Sequence, residues 1–188
     1  MQRLCACAAL VLAQAVATAQ PVVYRLDPQH TFVTFEVTHF GTSTLRGRWP
    51  VAEGFVELDR AAQRGYVSLR IATAQVDTGM PVFDARLRQD DLLATDAHPV
   101  AYFVASDFRF DGDQVVAVNG ELTLRGISQG LALRGQRFGC HTHPQLRREV
   151  CGGDFEGELR RGDFGAGFGI PFVANRVRLV VQVEGIRD

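Results

Sequence analysis

Between residues 26 and 47, apolar and polar side chains alternate along the chain. Val33, Phe35, Val37 and His39 fall in one phase, and Thr34, Glu36 and Thr38 in the other. A period of two predicts an extended strand, opened by an Asp27-Pro28 turn and closed by Gly41. One apolar and one polar face suit an antiparallel sheet or barrel better than a parallel core covered on both sides. The two histidines His30 and His39 stand at opposite ends of the strand.

The alternation recurs downstream. Val56 and Leu58 alternate with Glu57 and Asp59, then Val67, Leu69 and Ile71 with Ser68 and Arg70, and Ala101, Phe103 and Ala105 follow Pro99. Asp111-Gly112-Asp113 marks a hairpin, after which Val116, Val118, Leu122 and Leu124 share a face around a bend at Gly120. Residues 126–130 read as a turn leading into Leu131-Ala132-Leu133. Phe155, Gly157 and Leu159, then Val177, Leu179, Val181 and Val183, complete about eight strands. Residues 82–93 differ: Phe83, Leu87 and Leu92 stand among charges and Pro81 suits a first helical turn, so a short helix is predicted there.

These elements make an all-β domain, as a sandwich or as a closed up-and-down barrel; the glycines favour the barrel, whose coiled strands need bends. An eight-stranded barrel has an interior just large enough for side chains or one small ligand. Its inward faces would carry Val33, Phe35, Val37, Val56, Leu58, Val67, Leu69, Ile71, Phe103, Val116, Val118, Leu122, Leu124, Phe155, Leu159, Val177, Leu179, Val181 and Val183. That surface is apolar and uncharged, so its natural guest is a greasy, elongated molecule.

Composition narrows the setting. Residues 1–19 read as a secretory signal, with Arg3, an apolar stretch over residues 4–16 and the small-residue site Ala17-Thr18-Ala19. The apolar run is too short for a secure membrane span, so the expectation is one exported domain over residues 20–188 with no integral membrane segment. Without Arg3 the chain carries 19 basic and 21 acidic residues, a balance that gives no reason to expect nucleic acid or an anionic membrane as partner. Cys140 and Cys151 remain, and an even cysteine count in an exported chain suggests a disulfide closing a short loop. The competing reading is a metal site from Cys140, His141, His143 and Cys151, although its spacing matches none of the usual zinc patterns.

Several motifs, taken in order, extend this reading. They are Leu26-Asp27-Pro28-x-His30, the run from Val33 through His39, Gly41 and Ser43 to Gly47, and Val76-Asp77-Thr78-Gly79. Asn119-Gly120-Glu121-Leu122-Thr123-Leu124-Arg125-Gly126-Ile127 and the closing Val177 to Gly185 stretch follow. Together they resemble the YceI-like family of exported polyisoprenoid-binding proteins. The stretch from Cys140-His141 to Asp154, followed by Asp163-Phe164-Gly165, is similar to a periplasmic branch of that family. The resemblance implies an eight-stranded antiparallel lipocalin-like barrel with one short helix across it, a periplasmic location, and a long isoprenoid held in the lumen. Where the family commonly has Arg-Asp-x-His-Leu in the helix, this chain has Phe83-Asp84-Ala85-Arg86-Leu87.

The expected ligand is therefore a polyprenyl chain or isoprenoid quinone-type lipid. The expected cavity residues are Val33, Phe35, Val37, His39, Val56, Leu58, Leu69, Ile71, Phe103, Val118, Leu122, Leu124, Leu179 and Val181. Strands of about ten residues, tilted as in a barrel, give a lumen about 25 Å tall, room for about five or six isoprene units. Arg46, Arg48, Trp49 and Arg86 are candidates for the mouth, where a cation would meet an anionic head; a solvated Arg stem and a half-buried Trp are the plainer alternative. His39 reads either as a polar group at the end of the cavity or as an imidazole satisfied by backbone or Ser43. His30 fastens its turn through Asp27, Asp77-Thr78 reads as a turn and helix cap, and Asp84 is placed to pair with Arg88.

No nucleophile elbow, zincin helix or Gly-rich phosphate loop appears, and Asp163-Phe164-Gly165 matches a kinase triplet by letters only. The chain reads as a binding protein without a cofactor. A periplasmic enzyme acting on an isoprenoid-like lipid and a non-lipid interaction module are the alternatives. Whether two copies pair as a homodimer is left open.

Overall fold

The computed structural model describes residues 20–188, so the secretory signal expected over residues 1–19 lies outside the described residues. Nine strands form: β1 (Val22–Leu26), β2 (Phe32–His39), β3 (Ser43–Asp59), β4 (Arg64–Ile71), β5 (Ala101–Asp111), β6 (Gln114–Leu124), β7 (Ile127–Thr142), β8 (Glu149–Arg160) and β9 (Val173–Arg187). One short helix, α1 (Pro81–Leu87), lies between β4 and β5, with its proline in the first turn as expected.

Strands β2 to β9 pair antiparallel in succession, and β9 pairs back onto β2, so the sheet closes into an eight-position barrel. Closure leaves no open edge for unwanted pairing. The ninth strand adds no position. β1 pairs with β3 over residues 22–25 and with β9 over residues 24–26, and so continues the line of β2. The Asp27-Pro28 turn is the joint between two strands in one slot, whereas the sequence pattern makes it the start of a single strand. Asp27 holds this joint: it accepts from the His30 ring at 2.7 Å and from the Gln29 N–H at 2.9 Å.

The structure corrects several local expectations. β3 is long enough to serve β2 with its first half, which carries Arg46, Arg48 and Trp49, and β4 with its second, a length the period of two does not show. The chain turns at Arg125 and Gly126 alone, both at positive φ (55° and 72°), and β7 already begins at Ile127; residues 126–130 are not a turn. Val116 does not face inward. It is the extra residue where the β5–β6 register shifts between Arg109 and Phe110, and this bulge turns it out to 37 % exposure, leaving Val115 buried. Asp84 is buried and accepts from the Thr78 N–H at 2.8 Å and its hydroxyl at 2.6 Å, tying the preceding loop to α1. Arg88 donates to the Ala74 and Val76 carbonyls instead of pairing with Asp84.

The inward side chains form a large apolar core within the ring, and Tyr24, Leu58 and Cys151 make a second, smaller cluster. Outside, polar residues face water, and a ladder of ion pairs from Arg46 to Glu36 to Arg178 to Glu156 ties β3, β2, β9 and β8 together. The end of the barrel away from α1 is closed by Tyr24, whose hydroxyl donates to Glu149 at 2.9 Å. Arg60 and Arg187 flank the same carboxylate. Beside it, Cys140 and Cys151 stand directly opposite each other on β7 and β8 and form the expected disulfide. Neither sulfur is then a thiolate, which removes the metal reading. His143 instead accepts from the Gln145 and Leu146 N–H groups with its ring.

Candidate functional site

The lumen holds two apolar cavities, one toward each end of the barrel. The larger, about 230 Å³, lies beneath α1 and is lined by Phe35, Val37 and His39 of β2, Leu45 and Trp49 of β3, and Leu124, Leu159, Val173 and Val177 of the later strands. Phe83, Arg86 and Leu87 of α1, Leu92 and Leu93 after it, and Arg161, Ala166 and Phe168 of the loop following β8 complete the wall. The smaller, about 70 Å³, lies toward Tyr24 and the disulfide. Leu26, Val56, Leu58, Leu69, Phe103, Val118, Phe155, Val181 and Val183 are among its lining residues.

Between the cavities the lumen is packed. Along β9 the larger cavity is bordered by Val173 and Val177 and the smaller by Val181 and Val183, while Leu179 borders neither. Val33 on β2, Val51 on β3, Ile71 on β4, Leu122 on β6 and Leu131 on β7 hold the corresponding positions. The expected continuous lumen is thus divided at mid-height by an aliphatic belt. Of the expected cavity residues, Val33, Ile71, Leu122 and Leu179 belong to this belt. Phe35, Val37, His39 and Leu124 border the larger cavity, and Val56, Leu58, Leu69, Phe103, Val118 and Val181 the smaller.

The four expected mouth residues separate cleanly. Arg46 and Arg48 alternate outward along β3: Arg46 pairs with Glu36, and Arg48 lies 3.5 Å from Asp77 with its guanidinium over the Phe32 ring. Neither borders a cavity, because the strand's pleat turns them to the outer face. Trp49 and Arg86 do border the larger cavity. Arg86 is held by two bonds to Asp91, at 2.6 and 2.7 Å, which raise its pKa, and its guanidinium lies 4.2 Å from the Phe168 ring centroid. Trp49 packs on Phe35 with centroids 4.5 Å apart. Its indole Nε1 is the one buried side-chain nitrogen or oxygen without a partner among the described residues. An orphaned buried donor costs about 1–3 kcal/mol. His39 is half-buried, with its ring edge-on to Phe40 and no hydrogen bond to Ser43 among the described residues.

Arg161 carries no signal in the strand pattern. It sits in a 3-10 turn after β8 and is only 8 % exposed. Its guanidinium donates to the carbonyls of Ala174, Ala166, Phe168 and Val173 at 2.6–2.9 Å, fastening the loop that walls the larger cavity. No carboxylate lies within ion-pair distance of it among the described residues. Burial lowers its pKa, yet an arginine keeps its charge. One cue was available: Arg161 directly precedes Gly162-Asp163-Phe164-Gly165, and Gly165 takes the left-handed conformation (φ 77°) that ends the turn.

Known proteins share this architecture. The chain is 31 % identical over 170 residues to Protein YceI of Shigella flexneri, covering 88 % of this chain and 87 % of the relative. A crystal structure of the Campylobacter jejuni YceI protein superposes with a TM-score of 0.69 at 20 % identity, covering 80 % of this chain and 90 % of that one. A polyisoprenoid binding domain from Saccharophagus degradans superposes with a TM-score of 0.61 at 18 % identity, covering 88 % and 98 %. Residues 24–185 match the model of the YceI-like domain, which spans every strand of the closed barrel and both cavities. The chain belongs to the YceI-like domain family.

Proposed function

We propose that this protein is a periplasmic binding protein that holds a long isoprenoid in its barrel for transport, storage or presentation. The observation that carries the reading is the lining of the lumen: hydrocarbon side chains surround both cavities, with a few polar tips gathered at the α1 end. A structural relative described as a polyisoprenoid binding domain is consistent with it. The secretory-type residues 1–19 support export.

The volumes set the terms of binding. A 150 Å³ apolar cavity accommodates benzene, so the 230 Å³ cavity has room for roughly one or two isoprene units. The 70 Å³ cavity takes less than one. A chain of five or six units therefore threads the lumen only when the belt side chains move aside. Each buried carbon returns about 0.8 kcal/mol, or roughly 4 kcal/mol per five-carbon unit. That is enough to offset the repacking of several aliphatic rotamers, each costing about 0.5–1.5 kcal/mol. Affinity is set by tail length, and enclosure keeps an aggregating tail dispersed in water.

The test is solvent extraction of protein purified from its native periplasm, followed by mass spectrometry. A near-stoichiometric isoprenoid is expected. An extract free of isoprenoid, together with no uptake of polyprenyl ligands by the purified protein, would overturn the proposal.

A further inference from the structure

At the α1 end of the barrel, two connections between strands carry exposed rings. The connection from β8 to β9 has no polar side chain anywhere from Phe164 to Ala174. On it, Phe168 and Phe172 are 55 % and 62 % exposed, and Ile170 is exposed beside them. Phe40, at the tip of the hairpin between β2 and β3, is 60 % exposed and stacks on Phe172 with ring centroids 5.5 Å apart. Its N–H donates to the Phe172 carbonyl at 2.7 Å, so the two connections form one tip. Phe168 meets the guanidinium of Arg86 on α1, and Val82, one turn earlier on the same face of that helix, is 87 % exposed.

Single exposed apolar residues are ordinary, but a contiguous group of them marks a contact with a protein or a membrane. Two features hold this group outside. Phe40 has φ 49°, a left-handed conformation that a bulky side chain rarely takes and that asparagine or glycine would hold without strain. Arg161 donates to the carbonyls of Ala166, Phe168, Val173 and Ala174, which fixes the backbone of the loop with Phe172 in water. Charge then separates the two kinds of partner. A protein contact ordinarily has a polar rim and matched hydrogen bonds. This loop offers no side-chain donor or acceptor, and charges behind it are already paired, Arg160 with Asp163 at 3.8 Å and Arg176 with Glu158 at 3.0 Å. Rings and aliphatic tips without net charge complement the acyl boundary of a bilayer.

We infer that this tip is a membrane-docking surface, with Phe40, Phe168, Ile170 and Phe172 entering the boundary between head groups and acyl chains of a phospholipid bilayer. The contact is hydrophobic, so it requires no anionic lipid. It lies on the outside of the barrel and goes beyond the lipid-binding reading without depending on it. The same loop walls the larger cavity through Ala166, Phe168 and Val173, so a docked barrel holds that wall against the bilayer.

Vesicle flotation tests it, with residues 20–188, which contain every strand of the closed barrel, and vesicles of phosphatidylcholine alone or with added phosphatidylglycerol. Leaving out residues 1–19 removes an apolar stretch that would partition by itself. The protein is expected to float with both sets, and raising the salt should leave the partition within about twofold. Phe40→Asn together with Phe172→Ser is expected to weaken the partition at least about tenfold while circular dichroism shows the barrel still folded. Both side chains are exposed and border neither cavity, and asparagine suits the positive φ at position 40. Uptake of a detergent-dispersed polyprenyl ligand, measured in parallel, should be equal in the two proteins; its absence from both would sink the lipid reading and not the docking surface. No flotation of the unaltered protein, or equal flotation of the double variant, overturns the inference. Binding confined to phosphatidylglycerol and lost in salt also overturns it and assigns the contact to charge. A dimer in sedimentation that the double substitution splits into monomers, with no flotation, overturns it in favour of a second copy of the chain.

Discussion

Leu179→Ala probes the belt that divides the lumen. Leu179 is 3 % exposed and lies between Phe35 on β2 and Gly157 on β8. Truncation removes three carbons. The neighbour at Gly157 has no side chain to move into the gap, and a Cβ built there would meet Leu133 at 2.7 Å and the Ala132 carbonyl at 2.8 Å. The site therefore relaxes little, and the loss falls in the middle to upper part of the usual range for buried Leu→Ala, about 3–5 kcal/mol. Urea denaturation monitored by circular dichroism measures it. The same truncation joins the two cavities, so the variant no longer spends repacking energy when a long tail enters. Its affinity for a polyprenyl chain should rise about tenfold, equivalent to roughly 1.4 kcal/mol. Ligand-induced stabilisation should be correspondingly larger than in the unaltered protein. Equal or weaker binding of the long chain by a folded Leu179→Ala protein would refute the belt as a barrier to the tail.

Three further outcomes follow from the same geometry. Replacing Cys140 and Cys151 by serine should cost roughly 2–3 kcal/mol, because the bridge spans only 11 positions; an unchanged melting temperature with and without reductant would count against it. The hydrogen bond to Asp27 raises the His30 pKa, so its contribution to stability is complete below about pH 6.5 and fades as pH rises through the higher folded value. An NMR titration should place that imidazole above its ordinary pKa and return it there in Asp27→Asn. Burial, then the bond to Glu149, push the Tyr24 pKa up to about 12. Its contribution is complete below about pH 10 and is lost as pH rises through 12. An ultraviolet titration in which every tyrosine of the folded protein ionises near pH 10 would contradict that placement.

The barrel was legible where one strand face is buried and the other wet. Val33, Phe35 and Val37 on β2 and the valines of β9 declare their inward phase directly, and these strands pair with one another. Legibility was lost where backbone geometry breaks the period. The Val116 bulge shifts the phase of β6, and Pro50 with Gly47 and Gly54 hides the length of β3. β1 is too short to show a period, and its role as a continuation of β2 depends on partners far along the chain. The site followed the same division. Alternation identified the strand residues of the lumen, but whether a residue borders a cavity or packs in the belt depends on side chains meeting from opposite walls. Arg46 and Arg48 show the converse: their charge made them candidates for the mouth, and the pleat places them outside. Arg161 and Phe168 reach the cavity from a turn and a loop, where no periodicity marks an inward position.

The most direct measurement is a crystal structure of the protein bound to a polyprenyl lipid of five or six isoprene units. Continuous ligand density should cross the belt and occupy both cavities, the one beneath α1 and the one beside Tyr24 and Cys151. Density confined to the outer surface, with Leu179, Leu122 and Ile71 still closed across the lumen, would contradict it.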